Sequence, residues 1–357
     1  MASSATLTPS SGQIPVTSDR AAHPTARRRL QLALAGLWVL DGVLKLQPFM
    51  FTKDFAPMTL GAASNGAPFW LADPINWVQR IIVDHPVGPM VAFALIEILI
   101  GFAIAYRPTV RYGLLACMGW APFLWFFAEG LGGMTAGTGP FGGAPGASIL
   151  YGTLAVLLWP TDRTGASEAV RFVGARTARI VWLVLWGLLA VLSFLPHNTA
   201  ADSISDTISN NVSGTPLWYT WLLNHAASWT AGRGAEVSIT LGVLLALVAL
   251  SVLAKDRRVV RAGLVLAIVI SAVIWVFGEG LGMPFMGMAT DPDTGPLLAL
   301  VAIVFWPVAR QFGSTSSTSA AEDASSAAGA ASPAKKKSPA TKTTSPTAPS
   351  TEEGSVA

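Results

Sequence analysis

The chain has 357 residues, of which 52% are hydrophobic and 12% charged, with a mean hydropathy of +0.52. A soluble domain carries about a quarter charged residues, so this balance excludes an ordinary soluble enzyme and points to a membrane protein. The formal net charge is +3, and the single cysteine, Cys117, lies in an apolar run and excludes an internal disulfide or a CxxC motif.

Residues 1–27 are rich in Ser, Thr, Ala and Pro, lack an apolar core, and read as a disordered N-terminus without a cleavable signal. Eight apolar segments follow, at 30–47, 87–106, 112–131, 146–160, 179–196, 236–254, 262–282 and 296–309. The expected fold is an all-α, polytopic membrane bundle of eight transmembrane helices. Residues 28–161 form a first four-helix repeat, 162–178 a cytoplasmic linker, and 179–310 a second repeat. The Ser/Thr/Ala/Pro tail 311–357, with Lys335–Lys337, reads as disordered and cytoplasmic. Arginines and lysines gather on one side of this path, so the positive-inside rule sets both termini in the cytoplasm.

The first segment carries Asp41 and Lys45, which at i,i+4 share a helix face and can pair. The outer loop 48–86 holds "DPINWVQRIIVDHP", with Asp73 as N-cap and Pro74 at the first helical position, and predicts an interfacial helix over 74–84. Glu97 stands in the middle of the second segment. A lone carboxylate at that depth must be protonated or find a cation, and Lys45 is the only candidate. The third segment ends in "WFFAEGLGG" (125–133), and the seventh in "WVFGEGLGM" (275–283). Glu129 and Glu279 therefore recur at helix ends, where a carboxylate opposes the helix dipole. They either face each other across a pseudo-axis or bind their own outer loops. The glycine-rich stretch 132–147 lacks the strand and lysine of a phosphate loop.

Further along, Thr215 and Pro216 predict a second interfacial helix over 216–226. "RPTVRYG" (107–113) matches "RRVVRAG" (257–263), and "LLWP" matches "VFWP". With four segments in each half, this predicts a parallel duplication. Ser193 and Leu247 stand where Lys45 and Glu97 do, so the second half lacks those charges. His85, His197 and His225 fall near the outer face, and Met283, Met286 and Met288 follow the second EGLG. Thioether and imidazole ligands suit Cu(I), although the first half offers only Met134 and no confident metal set emerges. No nucleic-acid motif and no complete catalytic constellation is present, which leaves open whether the protein is an enzyme.

"GVLKL" (42–46) and "EILIGFAIAYRPTVRYGLL" (97–115) resemble the DoxX-like integral membrane proteins over about residues 28–160. The resemblance implies a four-span unit and membrane redox work, as in a subunit of thiosulfate:quinone oxidoreductase or partners of thiol and superoxide defence enzymes. It carries over to Gly42, Lys45, Glu97 and Gly101. The implied function is a redox-linked, quinone-interacting membrane subunit with a soluble oxidoreductase as partner, in the bilayer and compatible with a homo-oligomer. The alternatives are a small-molecule or ion transporter and a non-catalytic membrane anchor.

Overall fold

The computed structural model describes residues 25–163 and 165–307. Arg20, Arg310, the tail lysines and nearly all of both expected disordered termini lie outside them. Among the described residues the chain is all-helical, without a strand.

Twelve α-helices follow in order. In the first part they are α1 (Ala26–Leu44), α2 (Phe55–Ser64), α3 (Phe69–Asp84), α4 (Val87–Ala105), α5 (Val110–Phe127) and α6 (Ala147–Leu157). Then come α7 (Glu168–Ser193), α8 (Ser203–Asn210), α9 (Leu217–Thr230), α10 (Gly234–Ser251), α11 (Arg257–Val273) and α12 (Thr294–Val304). A π-helical turn, Ile274–Gly278, extends α11. Among the described residues five helices are long and apolar enough to cross a membrane: α4, α5 with its preceding turn, α7, α10, and α11 with its π turn. At 11 residues each, α6 and α12 are about 16 Å long. That is roughly half of a bilayer core.

Helix α1 packs on α4, α4 on α5 and α5 on α6, while α7 packs on α10, α10 on α11 and α11 on α12. The short helices α6 and α12 pack on each other and are buried along most of their length. Between α1 and α4 the backbones approach closely. A Cβ on Gly101 would lie 2.6 Å from Val39 Cγ2 and 2.8 Å from the Ala35 carbonyl oxygen. Small residues at such contacts are how helices associate in lipid, where no hydrophobic force drives them together.

The basic end of the bundle is tied by its own arginines. Arg27 pairs with Glu168 at 3.0 Å and donates to the Thr161 carbonyl at 2.9 Å. Arg28 donates to the Ile104 carbonyl at 2.9 Å and to that of Ala105, and Gln31 donates to Leu158 at 2.9 Å. These donors meet the unpaired carbonyls at the ends of α4 and α6, where cations are favoured.

Several boundaries differ from expectation. Helix α7 begins at Glu168, inside the expected linker, and is interrupted at Gly174, where φ is 81°. Asp73 and Pro74 lie inside α3, which starts five residues earlier behind Pro68. Proline also presets the φ of the residue that ends the preceding turn, and Pro68 performs that role here. The second outer helix does start after Pro216, at Leu217. Helices α2 and α8 lacked a sequence signature, being short and set among polar turns.

In a thermal unfolding assay in detergent, Gly101→Val should destabilise the protein by about 1–3 kcal/mol through overpacking. Gly36→Ala on the same helix pair should not, since nothing lies within 4 Å of a Cβ at Gly36.

Candidate functional site

Each EGLG segment is a short run of left-handed backbone. Gly130, Leu131 and Gly132 have φ of 53°, 59° and 66°, and Gly280, Leu281 and Gly282 have 59°, 60° and 79°. Left-handed conformation costs a β-carbon-bearing residue, so glycines flank the one leucine that must adopt it. The helix before each run ends with an i→i−5 bond, Glu129 N to Leu124 O at 3.1 Å and Glu279 N to Ile274 O at 3.0 Å.

The run turns each glutamate onto the start of the next helix. Glu129 Oε1 accepts from Ser148 N at 2.9 Å and Ser148 Oγ at 2.7 Å. Glu279 accepts from Thr294 N at 3.2 Å, from Gly295 N at 2.9 Å and from the Thr294 hydroxyl. A carboxylate at an N-terminus satisfies free amides and suits the dipole. Both glutamates therefore cap α6 and α12 from the preceding segment. Both lie beyond the crossing helices, which stop at Phe127 and Gly278. Burial pushes each carboxyl up to about 7, with Asp291 adding to the rise and the capping hydrogen bonds opposing it.

Lys45 and Glu97 meet directly. Lys45 Nζ lies 2.9 Å from Glu97 Oε2, and both side chains are buried. Lys45 Nζ also donates to the Thr290 carbonyl at 3.0 Å, and Gln47 Nε2 donates to Ala289 at 2.9 Å. The loop before α12 is thereby fastened to the end of α1. The expected Asp41–Lys45 pair within α1 does not form, because Lys45 reaches across to α4. Asp41 stays buried with Oδ1 lacking a hydrogen-bond partner.

These groups surround a cavity of about 110 Å³. Its polar wall is Asp41, Lys45, Glu129, Tyr151 and Asp291, and its aromatic wall is Trp38, Phe55, Phe93, Phe123 and Phe127. Helix α1 brings Asp41 and Lys45, α6 brings Tyr151, and the loop fastened by Lys45 brings Asp291. On this lining Asp41 and the Tyr151 hydroxyl adjoin each other without a well-formed hydrogen bond, and Glu129 Oε2 lacks a partner. The Tyr151 ring sits 4.4 Å from that of Trp38, whose indole donates to Cys117 Sγ at 3.2 Å. Cys117 is a buried packing residue here.

The structure thus gathers Asp41, Lys45, Glu97 and Glu129 around one place, and adds Tyr151 and Asp291, which the sequence did not single out. Tyr151 looked like one more aromatic in an apolar run. Asp291 sits in a Pro/Asp turn, "TDPDTGP", that reads as an ordinary loop. Thr290 and Asp291 lie in the second half of the chain, so this cavity does not draw on the first half alone. Glu279 is buried at its own helix start instead of lining the cavity. His85 caps the end of α3 and is exposed; His225 lies exposed on α9, with Nδ1 2.7 Å from the Trp221 carbonyl oxygen. Met283 is exposed, and Met286 and Met288 are half-buried, in the turns after Glu279. Among the described residues no group of three or more His, Cys, Asp or Glu could hold a metal ion.

Comparison with known proteins finds no matching family model, no significantly similar curated protein and no significantly similar solved structure.

Removing one member of a buried ion pair strands the other at about 3–5 kcal/mol, whereas removing both is often neutral. Lys45→Met should therefore lower the melting temperature sharply, and Lys45→Met with Glu97→Leu should recover most of it. Equal destabilisation by the single and double variants would show that the pair does not carry this energy.

Proposed function

We propose that the protein is a DoxX-like, redox-linked membrane subunit whose cavity binds the ring of a quinone. The observation that carries this reading is the cavity's mixed lining, in which aromatic rings stand beside the buried polar side chains Asp41, Lys45, Glu129 and Tyr151. The cavity's volume of about 110 Å³ is of the same order as the ~150 Å³ that takes a benzene ring. Lys45 and the Tyr151 hydroxyl can donate hydrogen bonds to ring oxygens, and Asp41 and Glu129 can accept them. A quinone, when bound, supplies a carrier of two electrons and two protons. Asp41, Tyr151 and Glu129 hold or release protons at its edge, and the aromatic wall excludes water. Electrons are exchanged with a soluble oxidoreductase partner.

The proposal includes two parallel four-helix repeats, with α1, α6 and α12 completing eight membrane segments and both termini cytoplasmic. Buried positions recur at constant offsets and support it. Trp38, Asp41, Gly42 and Lys45 on α1 correspond to Trp186, Leu189, Ala190 and Ser193 on α7. Gly113, Leu114, Cys117 and Ala121 on α5 correspond to Gly263, Leu264, Ala267 and Ser271 on α11. Ser148, Tyr151, Leu154 and Ala155 on α6 correspond to Gly295, Leu298, Val301 and Ala302 on α12. On the α1 offset, Glu97 corresponds to Leu245, which is fully buried, and not to Leu247, which is 55% exposed. Asp41, Lys45, Glu97 and Tyr151 thus stand opposite Leu189, Ser193, Leu245 and Leu298. None of these four counterparts is charged or aromatic, which favours a single site centred on the helices of the first half.

A second reading, a proton-coupled transporter, is favoured by the short helices α6 and α12, whose N-termini meet buried carboxylates. Interrupted helices of this kind form substrate sites in transporters.

Protein purified from membranes should carry quinone detectable by its redox difference spectrum, and Tyr151→Phe or Asp41→Asn should lower its occupancy severalfold while the melting temperature holds. Wild-type protein that neither retains nor binds added quinone would overturn the reading, and uptake of a solute driven by a proton gradient in vesicles would replace it with transport.

For topology, Asn65→Cys and Ser209→Cys should label from outside intact cells and Ala330→Cys should not. Labelling at 330 would reverse the proposed orientation.

A further inference from the structure

A second apolar groove, of about 390 Å³, runs along α10 and α11, with Phe141 from the turn before α6 also lining it. Its floor is Leu241, Leu244, Leu266, Ile270 and Val273, all carbon. Along α10 it runs from Glu236 to Leu244, about 12 Å at helical rise, so it descends from the helix start into the crossing segment.

The corresponding positions of the first half carry aromatic rings. At the offsets given above, Leu241, Ile270 and Val273 take the places of Phe93, Trp120 and Phe123. Those three rings pack together, with Trp120 and Phe123 stacked at 4.8 Å and Phe93 to Trp120 at 5.5 Å. Replacing them by Leu, Ile and Val leaves a groove that an aliphatic chain can fill. Both walls are membrane-crossing helices, so the bilayer supplies the occupant.

The groove's mouth is polar. Trp229 and Glu236 line it, and the Arg233 guanidinium lies 5.3 Å from the Trp229 ring and donates to the Trp229 carbonyl at 3.0 Å. Arg233 makes no ion pair among the described residues. Tryptophan with arginine is the pattern of a headgroup-level anchor. One cation and one carboxylate three residues apart match a zwitterionic headgroup, phosphate to Arg233 and ammonium to Glu236.

We infer that this groove is a phospholipid site, taking one acyl chain between α10 and α11 and an amine-bearing zwitterionic headgroup at Arg233 and Glu236. The site is separate from the aromatic cavity and independent of any quinone chemistry there. Its role is to complete the packing of the second half in the bilayer, as Phe93, Trp120 and Phe123 complete the first.

The test is native mass spectrometry of the protein taken in mild detergent from vesicles of equal phosphatidylethanolamine and phosphatidylglycerol. The wild type should retain one phosphatidylethanolamine in preference to phosphatidylglycerol. Leu241→Phe with Val273→Phe restores the first half's residues and should abolish retention. Glu236→Gln, a surface change that leaves packing intact, should lower the preference by about two- to fivefold, the worth of an exposed ion pair. Equal retention in wild type and the filled variant, or no headgroup preference in wild type, would overturn the inference. So would a dimer cross-linked through Leu244→Cys, which would make a second copy the occupant.

Discussion

A buried lysine in an apolar bundle must be neutralised, and the way Lys45 is neutralised organises much of this molecule. Its ammonium meets Glu97 on α4 and the Thr290 carbonyl in the loop before α12. One side chain therefore ties α1, the crossing helix α4 and a loop more than 240 residues away. With water excluded, none of these groups can turn to solvent for a substitute. The cost of burying them is also what sets their geometry. Because Lys45 is engaged by Glu97, Asp41 one turn away makes no ion pair among the described residues and adjoins Tyr151 on the cavity lining.

The EGLG segments solve a different problem with related means. A crossing helix must end, the chain must reverse, and a short buried helix must begin without leaving bare amides at its start. Two glycines permit the left-handed turn, and the glutamate before them supplies the acceptor. The same answer appears at Glu129 and at Glu279, down to the i→i−5 bond that closes the preceding helix. It is a structural use of a carboxylate, yet it leaves Glu129 Oε2 unengaged beside the cavity. In the first half the capping residue is thus also available for chemistry.

The two halves share a burial pattern while differing in chemistry. Where one places Asp41, Lys45, Glu97 and Tyr151, the other places Leu189, Ser193, Leu245 and Leu298. The aromatic surface Phe93, Trp120 and Phe123 is matched by aliphatic residues. The Trp38 indole donates to Cys117, whereas the Trp186 indole has no hydrogen-bond partner. The second half still contributes to the first through Thr290 and Asp291, so neither half is complete alone.

Hydropathy, charge placement and repeated words determined the class of protein, its apolar helices and the recurrence of Glu129 and Glu279. These are properties of composition along the chain, and the bilayer enforces them segment by segment. The need of Glu97 for a cation was equally legible, since only one lysine lay at comparable depth. What the linear order could not carry was which groups meet across the bundle. Lys45 turned to α4 instead of Asp41 because interhelical packing decides where a long side chain points. Asp291 and Tyr151 joined the cavity only because a loop and a short helix fold inward. Leu245 is buried and Leu247 is exposed, a distinction that burial makes and the alignment of words does not. Tertiary contact decided each of these, since a side chain in lipid answers to its neighbours in space.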